Sequence, residues 1–224
     1  MTMPEEITRK LREYAELLAD ANGRVRLTGS SDPDVLFDEH IMDALAALPY
    51  IEKFPSGASF VDVGTGGGLP GLVWAICRPD LSGVLLDSVG KKINMVAEIA
   101  GALRVFNITT VNARSEEYAM SKREFFDIAT ARAVSDSAML VEYMSPLVRV
   151  GGGLLAFKGP GVKNELDVPP KGWKIFGLAE PEIKPYSVMG KELNLVIWEK
   201  ISPCSRRFPR RSGEAKKNPW RGRG

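Results

Sequence analysis

Residues 62–71 read Asp-Val-Gly-Thr-Gly-Gly-Gly-Leu-Pro-Gly, five glycines in ten positions. They follow a short apolar run, Ser59 to Val63, and precede an apolar stretch through Val73, Trp74 and Ile76. A strand that ends in glycines and reopens as a helix presents backbone N–H groups to whatever lies beyond the strand. Glycine allows the tight turn and lets a ligand approach the main chain closely. Such a unit belongs to a parallel sheet covered by helices, and no other part of the chain constrains the fold as strongly.

The remaining pattern supplies that sheet. Val84 to Leu86 ends at Asp87, and helical spacing follows at Ile93, Val96, Ala97, Ala100 and Leu103. Ile108 to Val111 reads as a third strand. Phe125 to Thr130 reads as a fourth, followed by a helix through Leu140, Tyr143, Met144 and Leu147. Gly151-Gly152-Gly153 reads as a turn before a fifth strand, Leu154 to Phe157. Trp173 to Leu178 and Leu193 to Ile201 read as a closing pair. Short apolar strands alternating with helices predict a Rossmann-like α/β fold. Its sheet is mostly parallel, seven-stranded and doubly wound, with ligands at the carboxyl ends of the strands. Ahead of it, Ile7, Leu11, Tyr14 and Leu18 predict a helix over residues 4–21, and a second is expected from Asp34 to Leu48. The expected organisation is an N-terminal helical element over 1–54, a sheet domain over 55–202 and a tail over 203–224.

Several function classes fall away. No apolar run reaches the roughly 18 residues of a membrane helix. The acidic N-terminus is followed by no apolar signal segment, so a cytoplasmic protein is expected. Cys77 and Cys204 are too few for a disulfide framework or a four-ligand zinc site, and no metal is expected. The single histidine, His40, excludes schemes that need several imidazoles and reads as a hydrogen-bonding residue. The net charge of +2 hides an asymmetry. Residues 205–224 hold eight basic residues and one acid, which leaves residues 1–204 at −5. A mildly acidic globule with a strongly basic tail points to a polyanionic partner.

The ligand of the glycine loop has two readings. Gly66-x-Gly68-x-x-Gly71 matches a dinucleotide fingerprint, and Asp87 stands where a ribose-binding acid is expected, so an NAD-dependent dehydrogenase is the formal rival. Asp62 argues the other way. A carboxylate two residues before Gly64 serves a pyrophosphate poorly and suits a cationic ligand, such as the amino group and sulfonium of S-adenosylmethionine. No second domain with a hydride-transfer acid/base pair is visible either. The residues favour a methyltransferase with Asp62, Gly64, Gly66, Gly68 and Asp87 at the cofactor. A non-enzymatic RNA-binding module is the rival from another class; it would need none of Asp62, Gly64 or Asp87.

The acceptor is narrowed by what is missing. Thr130-Ala131-Arg132-Ala133 lacks the Asp/Asn-Pro-Pro-aromatic motif of amino-group methylation of nucleobases. Neither cysteine stands where carbon methylation would need a nucleophile. The guanine N(7) atom carries a free lone pair and no proton, so it needs neither base nor covalent intermediate.

These segments together resemble the RsmG (GidB) family of 16S rRNA guanine-N(7) methyltransferases. The likeness runs through Asp62 to Gly71, Arg78-Pro79-Asp80, Leu85 to Lys92, Ala113-Arg114-Ser115-Glu116-Glu117, Ala131-Arg132-Ala133, Ala156-Phe157-Lys158-Gly159 and the basic ending from Arg207 to Pro219. Leu27-Thr28, His40 and Asp43 are similar too, although Arg26 stands where the family commonly has Asn. The resemblance implies S-adenosylmethionine as cofactor. Gly64 and Leu69 would line its methionine side, Asp87 its ribose, and Ser115 and Glu116 its adenine edge. Arg132 would stand beside cofactor and target base as the catalytic residue. The implied partner is 16S rRNA or the small ribosomal subunit, modified in the helix 18 loop by a monomer. Arg206, Arg207, Arg210, Arg211, Lys216 and Lys217 would contact RNA. The prolines and glycines among them predict a flexible tail, with Phe208 and Trp220 free to stack on unpaired bases. Its removal is expected to leave cofactor affinity unchanged.

Overall fold

The computed structural model describes residues 3–168 and 172–220. Arg221 and Arg223, which complete the basic tail, lie outside the described residues. Seven strands form one sheet: β1 Ser59–Val63, β2 Ser82–Asp87, β3 Ile108–Asn112, β4 Phe126–Arg132, β5 Val148–Lys158, β6 Glu182–Val188 and β7 Lys191–Glu199. Their order is β3-β2-β1-β4-β5-β7-β6. The first five run parallel, and β7 and β6 close the sheet antiparallel. Between β1 and β4 the strand order reverses, which is where an open α/β sheet forms its ligand crevice. Among the described residues no helix is long and apolar enough to cross a membrane.

The apolar strands are buried on both faces, so the sheet divides two hydrophobic clusters. One face packs against the helix Glu5–Asn22, whose Leu11, Tyr14 and Leu18 are fully buried, and against helices Gly71–Cys77 and Gly90–Ala102. The other packs against Ser137–Met144 and, unexpectedly, against the C-terminal segment through Cys204, Phe208 and Trp220.

Four local expectations are corrected. Gly151-Gly152-Gly153 does not turn the chain; it lies within β5, where the pairing with β4 shifts register between Phe126 and Ile128. A Cβ at Gly152 would stand 2.4 Å from the Asp127 carbonyl oxygen, so glycine is what allows the irregular strand to lie so close. Trp173–Phe176 is a 3₁₀ turn, and β7 pairs instead with Glu182–Val188. That strand contains Pro185, which a central strand would reject but the sheet edge tolerates. The helix expected from Asp34 to Leu48 is broken into Pro33–Val35, a π-helical turn Leu36–Ile41, and Met42–Leu45. The tail is docked: Arg123 donates through Nη1 to the Phe208 carbonyl at 2.7 Å and through Nη2 to the Cys204 carbonyl at 2.8 Å. Trp220 donates to the Ala138 carbonyl at 2.7 Å and packs edge-on against Trp173. Burying these aromatics offsets the ordering cost that composition alone suggested would keep the segment loose.

Candidate active site

Strand register brings the chemistry to one level. Val63 pairs with Leu86, and Asp87 with Asn112, so β1, β2 and β3 end side by side. The Gly64 and Thr65 N–H groups both donate to the Leu86 carbonyl, at 2.8 and 3.0 Å. A cavity of about 480 Å³ opens beyond these ends. Gly64, Asp87, Ser115 and Glu116 line it, together with Arg114, Tyr143 and Lys216. Gly64 has φ +74°, and a Cβ there would stand 2.6 Å from a methyl of Val134, which also lines the cavity.

Asp87 is nearly buried at the floor. Its Oδ2 accepts from the Gly66 N–H at 3.0 Å and its Oδ1 from the Val89 N–H at 2.9 Å. The carboxylate thereby ties the glycine loop to the end of β2 while keeping an edge toward the cavity.

Other expected cofactor residues stand behind the cavity. Asp62 is fully buried and does not line it. Its Oδ2 accepts from the Thr65 hydroxyl at 2.7 Å and the Gly71 N–H at 2.9 Å, while Oδ1 has no hydrogen-bond partner. Burial pushes the Asp62 carboxyl up to about 6, against the pull of Thr65, Gly71 and the Arg132 charge. Asp62 therefore braces the loop from within through one carboxylate oxygen. Leu69 buries its side chain in the core, the lowest-energy place for an isobutyl group at this turn. Gly68 faces the N-terminal helix: a Cβ there would meet the Tyr14 hydroxyl at 2.9 Å, and that hydroxyl donates to the Gly67 carbonyl at 2.7 Å. Gly66 takes φ +58° and serves through its N–H to Asp87.

A second cleft of about 250 Å³ adjoins the first, lined by Asp43, Arg132, Phe157, Lys158, Tyr186 and Leu193 among others. Ala133 lines both, with φ +54°, a left-handed conformation that non-glycine residues rarely hold without cause. Arg132, the last residue of β4, donates from Nη1 to Asp43 Oδ2 at 3.0 Å and to the His40 carbonyl at 3.3 Å. Asp43 Oδ1 accepts from the Tyr186 hydroxyl at 2.5 Å. The π-helical turn carries His40 and the helical turn directly after it carries Asp43, both toward Arg132, and such widened turns often serve sites. Burial, then the Arg132 charge, holds the His40 imidazole below its ordinary value, so it is neutral near pH 7. Arg132 is thus aimed by a carboxylate, a carbonyl and an imidazole, each on the N-terminal helical run. Lys158 donates to the Ser135 carbonyl at 2.5 Å and pairs with Glu165 at 2.8 Å, holding the loop after β4.

The basic segment divides. Arg210 forks onto the fully buried Glu142, with Nε at 2.8 Å and Nη2 at 2.6 Å. Lys216 stands on the wall of the first cavity. Arg206, Arg207, Arg211 and Lys217 are exposed, and so is Lys216 where it borders the cavity. Phe208 and Trp220, expected to stack on bases, are buried in the core because their rings pack on Phe176. Tyr143 and Lys216 escaped sequence reasoning as cavity residues. Tyr143 lies four residues after Met139, which also lines the cavity, and that helical spacing was the available signal.

Comparison with known proteins agrees with this geometry. The family model described as rRNA small subunit methyltransferase G matches residues 7–193. A ribosomal RNA small subunit methyltransferase G of Clostridium novyi is 36% identical over 211 residues, 92% of this chain and 86% of that protein. Its counterpart from Moorella thermoacetica is 36% identical over 220 residues, 96% of this chain and 91% of its own length. Solved structures share the fold at low identity. A precorrin-6y C5,15-methyltransferase of Geobacter metallireducens has a TM-score of 0.55 at 12% identity, covering 79% of this chain and 91% of that one. A 16S rRNA (adenine(1408)-N(1))-methyltransferase of Catenulisporales acidiphilia, solved with its cosubstrate SAM, has a TM-score of 0.52 at 15% identity, covering 66% of this chain and 87% of that one. The chain accordingly belongs to the rRNA small subunit methyltransferase G family and has a class I methyltransferase fold.

Proposed function

We propose that the protein transfers a methyl group from S-adenosylmethionine to N(7) of a guanine in 16S rRNA, in the helix 18 loop. The observation that carries this reading is the pair of adjoining clefts at the strand-order reversal, joined at Ala133. The first cleft fits the cofactor. It lies beyond the ends of β1 and β2, and Gly64 and the Asp87 carboxylate line it. Gly64 would face the methionine side, Asp87 the ribose hydroxyls, and Ser115 and Glu116 the adenine edge. Bound there, S-adenosylmethionine supplies an electrophilic methyl group.

The second cleft suits a planar base between Phe157 and Leu193, with Arg132 and Lys158 on its polar rim. Arg132, held by Asp43 and His40, orients the base so that its N(7) lone pair points toward Ala133 and the first cleft. No proton has to leave N(7), so alignment and exclusion of water supply the rate, and no general base is required. Incubating the protein with methyl-labelled S-adenosylmethionine and separated ribosomal RNAs, then mapping the labelled base, tests the reading. A guanine N(7) label in 16S rRNA is expected; label on another atom or RNA, or none on naked RNA and small subunits, overturns it.

A further inference from the structure

The C-terminal segment has one face against the fold and one in solvent. Its inner face is tied to the wall of the first cavity. The Gly213 N–H donates to Glu116 Oε1 at 3.2 Å, and the Ser212 hydroxyl donates to Glu117 Oε1 at 3.0 Å. Arg210 holds buried Glu142, one residue before the cavity-lining Tyr143. Ala215 is buried, and Trp220 anchors the end of the segment to Ala138. These contacts fix the main chain on both sides of Lys216 and set its side chain on the same wall as Glu116 and Arg114. Lys216 is exposed to solvent, as are Arg206, Arg207, Arg211 and Lys217; of these five, Lys216 is the one that lines the first cavity.

We infer that Lys216 is a donor-binding residue, separate in role from the cations around it. The chemistry of the wall carries the assignment. An adenine edge offers an exocyclic amine, which donates, beside a ring nitrogen, which accepts. Glu116 answers the first and an ammonium answers the second. A lysine whose stem is set by a docked backbone meets that edge with less entropy to lose than one on a free tail. Arg206, Arg207, Arg211 and Lys217 are left to neutralise phosphates, which requires exposure and no fixed partner. The inference rests on the cofactor reading of the first cavity.

Calorimetry with S-adenosylhomocysteine on the full-length protein tests it. Lys216→Met keeps the aliphatic stem and removes the ammonium. It should weaken binding about tenfold, the low end for a charge-assisted hydrogen bond, without changing the melting temperature, and Lys216→Arg should restore most of the loss. Combined Arg206→Ala, Arg207→Ala and Arg211→Ala should leave that affinity unchanged and lower the log–log salt slope of RNA binding by about 2, at about 0.7 per phosphate on single strands. Wild-type affinity in Lys216→Met, or a donor-binding loss in the triple variant, overturns the division of labour. Wild-type protein that binds no S-adenosylhomocysteine overturns the cofactor reading itself, and the inference with it.

Discussion

Two segments of this chain stand out by composition, and they behave in opposite ways. The glycine loop at 62–71 does locally what glycines predict: it turns tightly, takes left-handed backbone at Gly64, Gly66 and Gly68, and closes a cavity at the strand ends. The basic segment from residue 203 to 220 does not do what its composition predicts. It inserts Cys204, Phe208, Ala215 and Trp220 into the core and commits Arg210 to an internal carboxylate. Backbone freedom is a property of the residue itself, so it reads out locally. The fate of a cation or an aromatic ring depends on what is opposite it, and a buried Glu142 or a Phe176 can lie anywhere in the chain.

The largest test of this contrast removes Arg210. Arg210→Ala leaves the fully buried Glu142 carboxylate without its fork and should destabilise the protein by about 3–5 kcal/mol. Denaturant unfolding measures this, and a loss under about 0.5 kcal/mol, the surface value, would make the segment the loose tail that its composition suggests. Replacing Glu142 by Gln in that background should recover part of the loss, since no charge is then stranded.

Asp62 tests the loop from inside. Its carboxyl is raised from 3.8 to about 6 by burial, so its neutral form stabilises the fold below pH 4 and that contribution is lost as the pH rises through 6. Asp62→Asn has no proton to lose. Its stability relative to wild type should therefore improve between pH 4 and pH 7, by up to about 3 kcal/mol at 1.36 kcal/mol per unit. Thermal melts at both pH values check the sign, and a constant difference would show that Asp62 meets solvent after all.

Asp87→Ala should weaken S-adenosylhomocysteine binding by about 2 kcal/mol, the loss of a hydrogen bond to a charged group. Calorimetry reads it; unchanged affinity would leave Asp87 as a brace for Gly66 alone. The smallest effect separates the two glycines that the fingerprint treats alike. Gly68→Ala should cost about 1–2 kcal/mol of stability through its positive φ and the Tyr14 hydroxyl, and the cost should shrink in a Tyr14→Phe background. Gly66→Ala meets nothing within 3.8 Å and should pay only for its backbone. Equal losses in all backgrounds would mean that the N-terminal helix does not shape the loop.

Much of the fold was legible because its signals are local. Apolar runs of strand length, helical spacing in Ile93 to Leu103, and the turn glycines each report on a few neighbouring residues. The failures have a common cause as well. Pro185 hides β6, because edge position, which makes a strand proline harmless, is not written in the segment. The glycines at 151–153 read as a turn, because a strand irregularity looks the same as a turn until its partner is known. In the candidate site, Gly64 and Asp87 reach the first cavity as their positions at strand ends predict, Ser115 and Glu116, which only the family resemblance singled out, line it too, and Arg132 ends β4 beside it. Asp62 and Leu69 have the right sequence neighbours but face inward, because residues in and just after a parallel strand alternate in facing and only packing decides which is covered.

From the sequence alone follow the parallel sheet, the place of the crevice, and the residues at the ends of its strands, since each depends on periodicity and backbone conformation over a few positions. Tertiary structure alone decided which side of the loop Asp62 serves and that Asp43, His40 and Tyr186 converge on Arg132 from distant parts of the chain. It also decided that six cations of one basic segment divide among a buried carboxylate, a cavity wall and solvent. Those outcomes turn on desolvation and pairing, and the free energy of a charge is set by the groups the fold places against it, not by its neighbours in the chain.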